Sequence, residues 1–211
     1  MKNKTVKYVQ SRLQKKILTL SAFLLLSAIV WLDHTYRIIP PNNAPAIQTQ
    51  DVNDWAKYNN KTFTVVKAVD GDTIDIDIAD GRYEHTRIRL LGVDTPETKK
   101  PDTPVMYYGP EASNFTKEKT LGKKVTVLMD THSNPRDKYG RLLAHIKLED
   151  GTILNEELIS NGLAYADPRF PQSFNKEYAQ LEKQARKSKT GLWKKVTPDQ
   201  MPHWRQKPQR H

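Results

Sequence analysis

The stretch from Asp70 to Thr98 reads DGDTIDIDIADGRYEHTRIRLLGVDTPET and predicts two paired β-strands. Isoleucines alternate with acidic or small residues through its first half, the period-two pattern of a strand with one buried and one solvated face. The Asp80-Gly81 pair then predicts a tight hairpin turn. With these two residues as the loop, the register places Asp72 opposite Arg89, and a looser loop shifts that partner by only a few residues.

Two more carboxylates, Asp94 and Glu97, follow Arg89 where the chain turns at Thr95-Pro96. Carboxylate oxygens suit Ca²⁺ or Mg²⁺, a guanidinium binds phosphate through paired hydrogen bonds, and a further acid can orient or deprotonate water. These residues therefore favour a site for phosphate chemistry. The alternative, that the acids are turn formers or solvated charges, is the interpretation for four others of the stretch: Asp70, Asp75, Asp77 and Asp80.

Five motifs resemble those of the staphylococcal nuclease (thermonuclease) family. They are VKAVDGDT at 66–73, RLLGVDTPET at 89–98, YGPEASNFTK at 108–117, DKYGR at 137–141 and NGLA at 161–164. The motifs occur in the family's order with similar gaps, so the match is specific. The resemblance implies an OB-type barrel and a phosphodiesterase that cleaves the P–O5′ bond of DNA and RNA alike, leaving 3′-phosphate ends.

The resemblance also implies the roles of individual residues. The expected Ca²⁺ ligands are Asp72, Asp94 and the backbone carbonyl of Thr95. Glu97 is expected to orient or activate the attacking water. Arg89 and Arg141 are expected to bind the phosphate and to stabilise the charge that develops in the transition state.

Three residues match positions that contact the substrate: Lys138, Tyr139 and Tyr165. A tyrosine ring stacks on any base, so the expected substrates are single-stranded or frayed regions of DNA and RNA with little sequence specificity. The stretch from Tyr165 to Phe170 is shorter than the family's loop, which leaves the register of Tyr165 open. From spacing alone, Arg89 also fits a strand-edge charge, Arg141 a loop-end charge paired with Asp137, and Tyr139 a partly packed loop aromatic.

The remaining pattern predicts an α+β chain that is mainly β. The five predicted strands are Thr62–Val69, Thr73–Ala79, Tyr83–Val93, Lys124–Met129 and Arg141–Leu148, and three helices lie between or after them, over 110–121, 153–160 and 174–189. Five short strands with interspersed helices are compatible with an OB-fold barrel. Spacing alone does not close that barrel; its closure is implied by the resemblance.

The ends of the chain differ in composition from its centre. Residues 17–32 form an uncharged apolar run after six basic residues, which predicts a signal anchor that leaves the following domain outside the cell membrane. A cleaved signal peptide is the alternative. The predicted organisation is a basic segment and anchor at 1–32, a polar linker at 33–60, the nuclease-like domain at 61–193 and a disordered basic tail at 194–211.

The formal net charge of +10 resides mostly at those ends, because residues 61–193 hold 21 basic and 20 acidic side chains. Nucleic-acid affinity of the central domain must therefore come from local arrangement. The absence of cysteine excludes disulfides, thiolate zinc sites and a cysteine nucleophile.

The expected protein is thus an extracytoplasmic, monomeric, Ca²⁺-dependent nuclease. One alternative is a non-catalytic OB-fold nucleic-acid-binding surface protein, which would need the basic groups but not the acids. Another is a wall-associated protein whose basic ends bind teichoic acid or membrane.

Overall fold

The alternating isoleucines of the quoted stretch face the inside of a β-barrel, where Ile74 and Ile76 are fully buried. The computed structural model describes residues 49–98 and 105–206. Seven strands lie in this part of the chain: β1 (Lys61–Asp70), β2 (Thr73–Ile76), β3 (Thr86–Leu90), β4 (Val93–Asp94), β5 (Lys124–Leu128), β6 (Leu142–Lys147) and β7 (Tyr165–Ala166).

Five of the strands close into a barrel in the order β1-β2-β3-β6-β5. All neighbouring pairs are antiparallel except β3 and β6, which are parallel. The strands β4 and β7 form a separate antiparallel pair beside the barrel, in which Asp94 lies opposite Tyr165. The predicted OB-type barrel and mainly β architecture are confirmed.

The register of the β2–β3 hairpin differs by one residue from the prediction. Thr73, not Asp72, lies opposite Arg89. Asp80 and Tyr83 exchange both backbone hydrogen bonds, at 2.9 and 3.0 Å, so Gly81 and Arg82 are the loop residues. The turn begins one residue later than expected, with Gly81 at the first loop position and a positive φ of 57°.

The helices are α1 (Thr49–Tyr58), α2 (Gly109–Thr120), α3 (Leu154–Ser160), α4 (Asn175–Lys187) and α5 (His203–Gln206), with 3₁₀ turns at Gly191–Lys194 and Pro198–Gln200. The three predicted helices are confirmed as α2, α3 and α4, each within a few residues of its expected ends. Neither α1 nor α5 was expected.

Helix α1 lies within the stretch that composition assigns to a polar linker, and it is attached to the barrel. Tyr58 is fully buried, and its hydroxyl lies 3.0 Å from the hydroxyl of Thr86. The Arg136 guanidinium bridges Asp54 of α1 and Asp80 of the hairpin, with contacts of 2.6–3.0 Å. The linker prediction is therefore wrong for residues 49–58, because polar side chains here pair with distant charges instead of solvent.

Likewise, residues 194–206 of the predicted disordered tail have defined structure. The described part of this tail contains a 3₁₀ turn and helix α5, and its side chains contact the barrel. Among the described residues, no helix has the length and apolar character needed to cross a membrane. The predicted anchor at 17–32 lies outside the described residues.

Candidate active site

An open cleft of about 410 Å³ lies where β2, β3 and β4 meet the 133–141 loop. Eight of the nine predicted site residues line it: Asp72, Arg89, Asp94, Thr95, Glu97, Lys138, Tyr139 and Arg141. Asp70, Thr73, Arg169 and Phe170 complete its wall. Folding thus brings residues from three separate sequence motifs, at 66–73, 89–98 and 137–141, around one water-accessible volume.

Arg89 occupies the floor of the cleft between two carboxylates. Its Nη1 lies 2.8 Å from Oδ2 of Asp72, and its Nη2 lies 2.8 Å from Oδ1 of Asp94. Nη1 also donates to the carbonyl of Val93 at 2.8 Å. The Arg89 side chain is only 8% exposed, so it is not a strand-edge charge. These bonds hold its guanidinium in one orientation before any substrate arrives.

Thr95 ties the two acidic segments together. Its backbone N–H and its hydroxyl both donate to Oδ2 of Asp72, at 2.9 and 3.1 Å. The hydroxyl of Thr73 donates to the other oxygen of Asp72 at 3.0 Å. Asp72 is therefore held by bonds to Arg89, Thr73 and Thr95, which restrict its rotamer.

Negative charge is concentrated in the cleft beyond what Arg89 compensates. Burial raises the pKa of Asp94 to about 6; the neighbouring Arg89 lowers this pKa and Asp72 raises it. Burial also raises the pKa of Asp70, and the charges of Asp72 and Glu97 raise it further. Mutual repulsion of this kind is relieved when a cation binds between the carboxylates.

The residues present fit a hard cation by the chemistry of their donor atoms. Asp72, Asp94 and the carbonyl of Thr95 offer only oxygen, which is the preference of Ca²⁺. Within residues 49–98 and 105–206, no group of three or more acidic or histidine side chains is arranged to hold a metal ion. A backbone carbonyl and water must accordingly contribute to any metal site formed here.

Glu97 lies on the same wall as these acids, at the start of the segment that leaves β4. Its Oε1 accepts a hydrogen bond from the backbone N–H of Thr98 at 3.1 Å. The hydroxyl of Thr98 donates in turn to Asp70 at 2.8 Å. The local chain thus positions Glu97 beside Asp70 and at the edge of the cleft.

The opposite wall is the 133–141 loop, which Asp137 organises. Its carboxylate accepts the backbone N–H groups of Tyr139 and Arg141 at 2.9 and 3.0 Å. The Arg141 side chain contacts the same carboxylate through Nε at 2.7 Å and Nη2 at 2.6 Å. Arg141 is therefore both paired with Asp137 and part of the cleft, because a guanidinium has five N–H donors and this pair engages only one edge.

Tyr139 projects from this loop and is 72% exposed. The Nζ of Lys138 lies 5.0 Å from the centre of its ring, and the Cζ of Arg141 lies 5.4 Å from it. This exposure excludes the packed-aromatic interpretation. Two cations beside an exposed ring form a surface suited to a phosphate and an adjoining base.

The prediction that Tyr165 contacts the substrate is wrong in position. Tyr165 lies in β7, has no exposed surface and does not line the cleft. Its ring packs edge-on against Trp193, with centroids 5.4 Å apart, and burial raises its pKa to about 12. The short loop after Tyr165 places this tyrosine in the core instead of at the surface.

Two residues that contact Asp94 were not expected from the sequence. Arg169 pairs with Asp167 at 2.7–2.8 Å, and its Nη2 lies 3.4 Å from Oδ2 of Asp94. Trp204 donates its indole N–H to the same oxygen of Asp94 at 2.7 Å. No spacing rule links residues 110 positions apart, so the sequence carries no local signal for the Trp204 contact.

Gly92 lies in the two-residue connection between β3 and β4. Its φ of +74° lies in the left-handed region, and a Cβ here would lie 2.4 Å from the amide nitrogen of Gln172. The backbone of Asp167 donates to the Gly92 carbonyl at 2.9 Å. Gly92 is thus part of a tight turn, after which Asp94 lies beside Arg89.

Comparison with known proteins agrees with this geometry. The family model for the staphylococcal nuclease homologue matches residues 87–195. The thermonuclease of Staphylococcus hyicus is 42% identical over 136 residues, covering 64% of this chain and 77% of that protein. The thermonuclease of Staphylococcus intermedius is 43% identical over 139 residues, with the same two coverages of 64% and 77%.

A more distant relative is Endonuclease YncB of Bacillus subtilis, which is 37% identical over 134 residues. That match covers 63% of this chain and 61% of the relative. The barrel, the cleft and the extent of these matches lead to one conclusion. The chain belongs to the staphylococcal nuclease family.

Proposed function

We propose that this protein is a nuclease that hydrolyses phosphodiester bonds in DNA and RNA, with Ca²⁺ as its cofactor and 3′-phosphate ends as its products. The observation that carries the proposal is the meeting of Asp72, Arg89, Asp94, Glu97 and Arg141 in one open cleft. Relatives named thermonuclease and endonuclease support the same reaction class. A protein that only bound nucleic acid would have no use for the buried acids.

In this mechanism the phosphate sits between the two arginines. The Arg89 guanidinium, held by Asp72 and Asp94, and the Arg141 guanidinium, held by Asp137, present fixed N–H donors to the phosphate oxygens. Negative charge on those oxygens grows during attack, so preorganised donors stabilise the transition state more than the bound substrate. Tyr139 stacks on a neighbouring base without reading its identity.

Glu97 is the residue proposed to orient the attacking water and accept its proton. Water attacks phosphorus as the P–O5′ bond breaks, Glu97 takes the proton of the attacking water, and the departing O5′ takes a proton from solvent. The products are a 3′-phosphate and a 5′-hydroxyl. Ca²⁺, bound by Asp72, Asp94 and the Thr95 carbonyl, would supply positive charge beside the reacting phosphate. The gathering of the Asp72 and Asp94 oxygen atoms on either side of Arg89 in the same cleft supports a cation at this place.

The test is nicking of supercoiled plasmid by the full-length chain with Ca²⁺, Mg²⁺ or chelator. Glu97→Gln keeps the size of the side chain but removes its charge, and a rate loss of about 10²–10⁴-fold is expected. Glu111→Gln, an exposed acid on α2, is the matched control and is expected to cleave normally. Cleavage that survives both Glu97→Gln and chelation contradicts the assignment. Binding without cleavage by the wild type instead indicates the non-catalytic alternative.

We further propose that residues 17–32 anchor the protein in the bacterial cell membrane, with a monomeric nuclease domain outside. The charge-free run after six basic residues supports this orientation. In intact cells, added protease is expected to remove the nuclease domain while cytoplasmic markers survive. Protection of the domain until the cells are lysed would contradict the proposed location.

A further inference from the structure

The carboxyl-terminal segment Thr197–Gln206 reaches the proposed metal site, and its contacts run through Trp204. The indole N–H of Trp204 donates to Oδ2 of Asp94 at 2.7 Å, while Oδ1 of the same carboxylate accepts from Arg89 at 2.8 Å. Asp94 is therefore held from both sides. One partner comes from the barrel and the other from a segment beyond the last helix expected from sequence.

Arg205 attaches this segment to the strand pair that carries Asp94. Its Nη1 donates to Glu182 at 2.8 Å, and its Nη2 contacts the other oxygen of Glu182 and donates to the carbonyl of Ala166 at 2.8 Å. Ala166 belongs to β7, which pairs with β4. Arg205 thus links the segment to β7, and Trp204 of the same segment contacts Asp94 on the neighbouring strand β4.

The Trp204 ring itself contacts two guanidinium groups. The Cζ of Arg169 lies 4.5 Å from the ring, and the Cζ of Arg205 lies 4.8 Å from it. Each contact favours one placement of the indole. Its N–H consequently has a defined direction, toward the oxygen of Asp94.

We propose that Trp204 is a positioning residue that orients Asp94 for metal binding, so that the carboxyl-terminal segment completes the active site. The inference rests on the proposed function, in which Asp94 is a metal ligand. A neutral N–H fixes a carboxylate without cancelling its charge, and each carboxylate oxygen has a second lone pair for a cation. Hydrogen bonds to a ligand's outer side characteristically raise metal affinity by setting the ligand's orientation.

The chain offers a matched control in Trp193. Its ring is packed against Tyr165 and Arg186, and within the described residues its indole nitrogen has no hydrogen-bond partner. Trp204→Phe and Trp193→Phe therefore make the same chemical change, which includes loss of the indole N–H, at two different positions. Only the first substitution removes a bond to Asp94.

The experiment is calorimetric titration of the full-length chain with Ca²⁺ in the absence of nucleic acid. Trp204→Phe is expected to weaken Ca²⁺ binding about 10-fold or more, while Trp193→Phe retains wild-type affinity. At saturating Ca²⁺ the kcat of Trp204→Phe is expected to recover to within a few-fold of wild type. Unchanged affinity in Trp204→Phe overturns the inference, and tighter binding shows that the indole competes with the metal.

A second readout needs no variant at position 204. The indole ¹H–¹⁵N resonance of Trp204, assigned by elimination with Phe variants of the other three tryptophans, is expected to shift on Ca²⁺ addition. A resonance that does not move overturns the inference. Failure of the wild-type chain to bind Ca²⁺ or to cleave contradicts the proposed function itself, whereas normal binding by Trp204→Phe contradicts only the role of Trp204.

Discussion

Arg89 and Asp94 form a buried ion pair in which Nη2 and Oδ1 lie 2.8 Å apart, although Asp94 belongs to the strand that follows the one carrying Arg89. The turn between their strands folds the chain back so that the carboxylate meets the guanidinium. Arg89 also bonds the backbone carbonyl of Val93, so the pair fixes the position of β4 as well as its own charges.

This arrangement predicts that Arg89→Lys reduces activity strongly, by about 10²–10³-fold. Lysine keeps the charge but has no planar fork, so it cannot bind both Asp72 and Asp94 while presenting donors to a phosphate. Arg87→Lys is the matched control, since Arg87 is on the same strand, is half-exposed and pairs with Asp75 outside the cleft. Steady-state kinetics on an oligonucleotide measures both variants. Equal losses of activity in the two variants would show that positive charge on the strand supports catalysis, and not the planar guanidinium of Arg89.

Tyr139→Ala is expected to raise KM about tenfold with little change in kcat, because base stacking contributes to binding and not to bond cleavage. Tyr83→Ala provides the comparison: this tyrosine is 60% exposed on the β2–β3 hairpin and does not line the cleft. Its KM is expected to stay at the wild-type value. A lowered kcat in Tyr139→Ala would instead indicate that the loop positions Arg141.

The buried His145 is expected to make a destabilising contribution to the folded protein on acidification. Burial lowers the pKa of His145 and the nearby Asp130, 3.5 Å away, raises it. Because the pKa is lower in the folded state than in the unfolded chain, the unfolded chain binds protons first as pH falls through about 6.5. The His145 contribution to the unfolding free energy therefore falls between pH 7.5 and 5.5, whereas Asp94, whose pKa is raised to about 6 in the folded state, contributes a change of opposite sign. Denaturant titration of the wild type and of His145→Gln at both pH values separates the two.

His145→Gln should make this pH dependence shallower, whatever its effect on absolute stability at pH 7.5. His203→Gln alters an exposed histidine of α5 and is expected to keep the wild-type slope. If the unfolding free energy of His145→Gln changes with pH as much as that of the wild type, the pH dependence arises from carboxylates and not from His145.

Gly162→Ala is expected to destabilise the fold more than Gly151→Ala. Both glycines have positive φ, so each alanine costs about 1–2 kcal/mol of backbone strain. At Gly162 a Cβ would also lie 2.2 Å from the carbonyl oxygen of Thr190, whereas nothing lies within 4 Å at Gly151. Displacing backbone adds about 1–3 kcal/mol. Denaturant titration measures the difference, and equal losses would show that the Gly162–Thr190 contact relaxes freely.

Much of the barrel and part of the site were predictable because they depend on local patterns. Alternating isoleucines identified β2, and a short hairpin brought Asp72 near Arg89 even though the true register is one residue off. The predicted contact between Asp72 and Arg89 forms despite this one-residue difference in register. The Arg89 side chain is long enough to reach Asp72 from its position opposite Thr73.

Predictions failed where a role depended on a distant partner. The Asp54–Arg136 contact joins residues 82 positions apart, so composition alone classed α1 as linker. The family resemblance predicted that Tyr165 contacts the substrate, but its ring packs against Trp193 in the core. Local hydrophobic periodicity predicts neither the Asp54–Arg136 contact nor the Tyr165–Trp193 contact.

The sequence by itself determined the strands of the barrel, the position of the hairpin turn to within one residue, and the set of acids and arginines suited to phosphate chemistry. These follow from side-chain chemistry and short-range spacing. Tertiary structure alone decided which of those charges share a cleft and that Trp204 reaches Asp94. The reason is physical: hydrophobic periodicity specifies which face of an element is buried, whereas contacts between distant side chains exist only after the elements have packed.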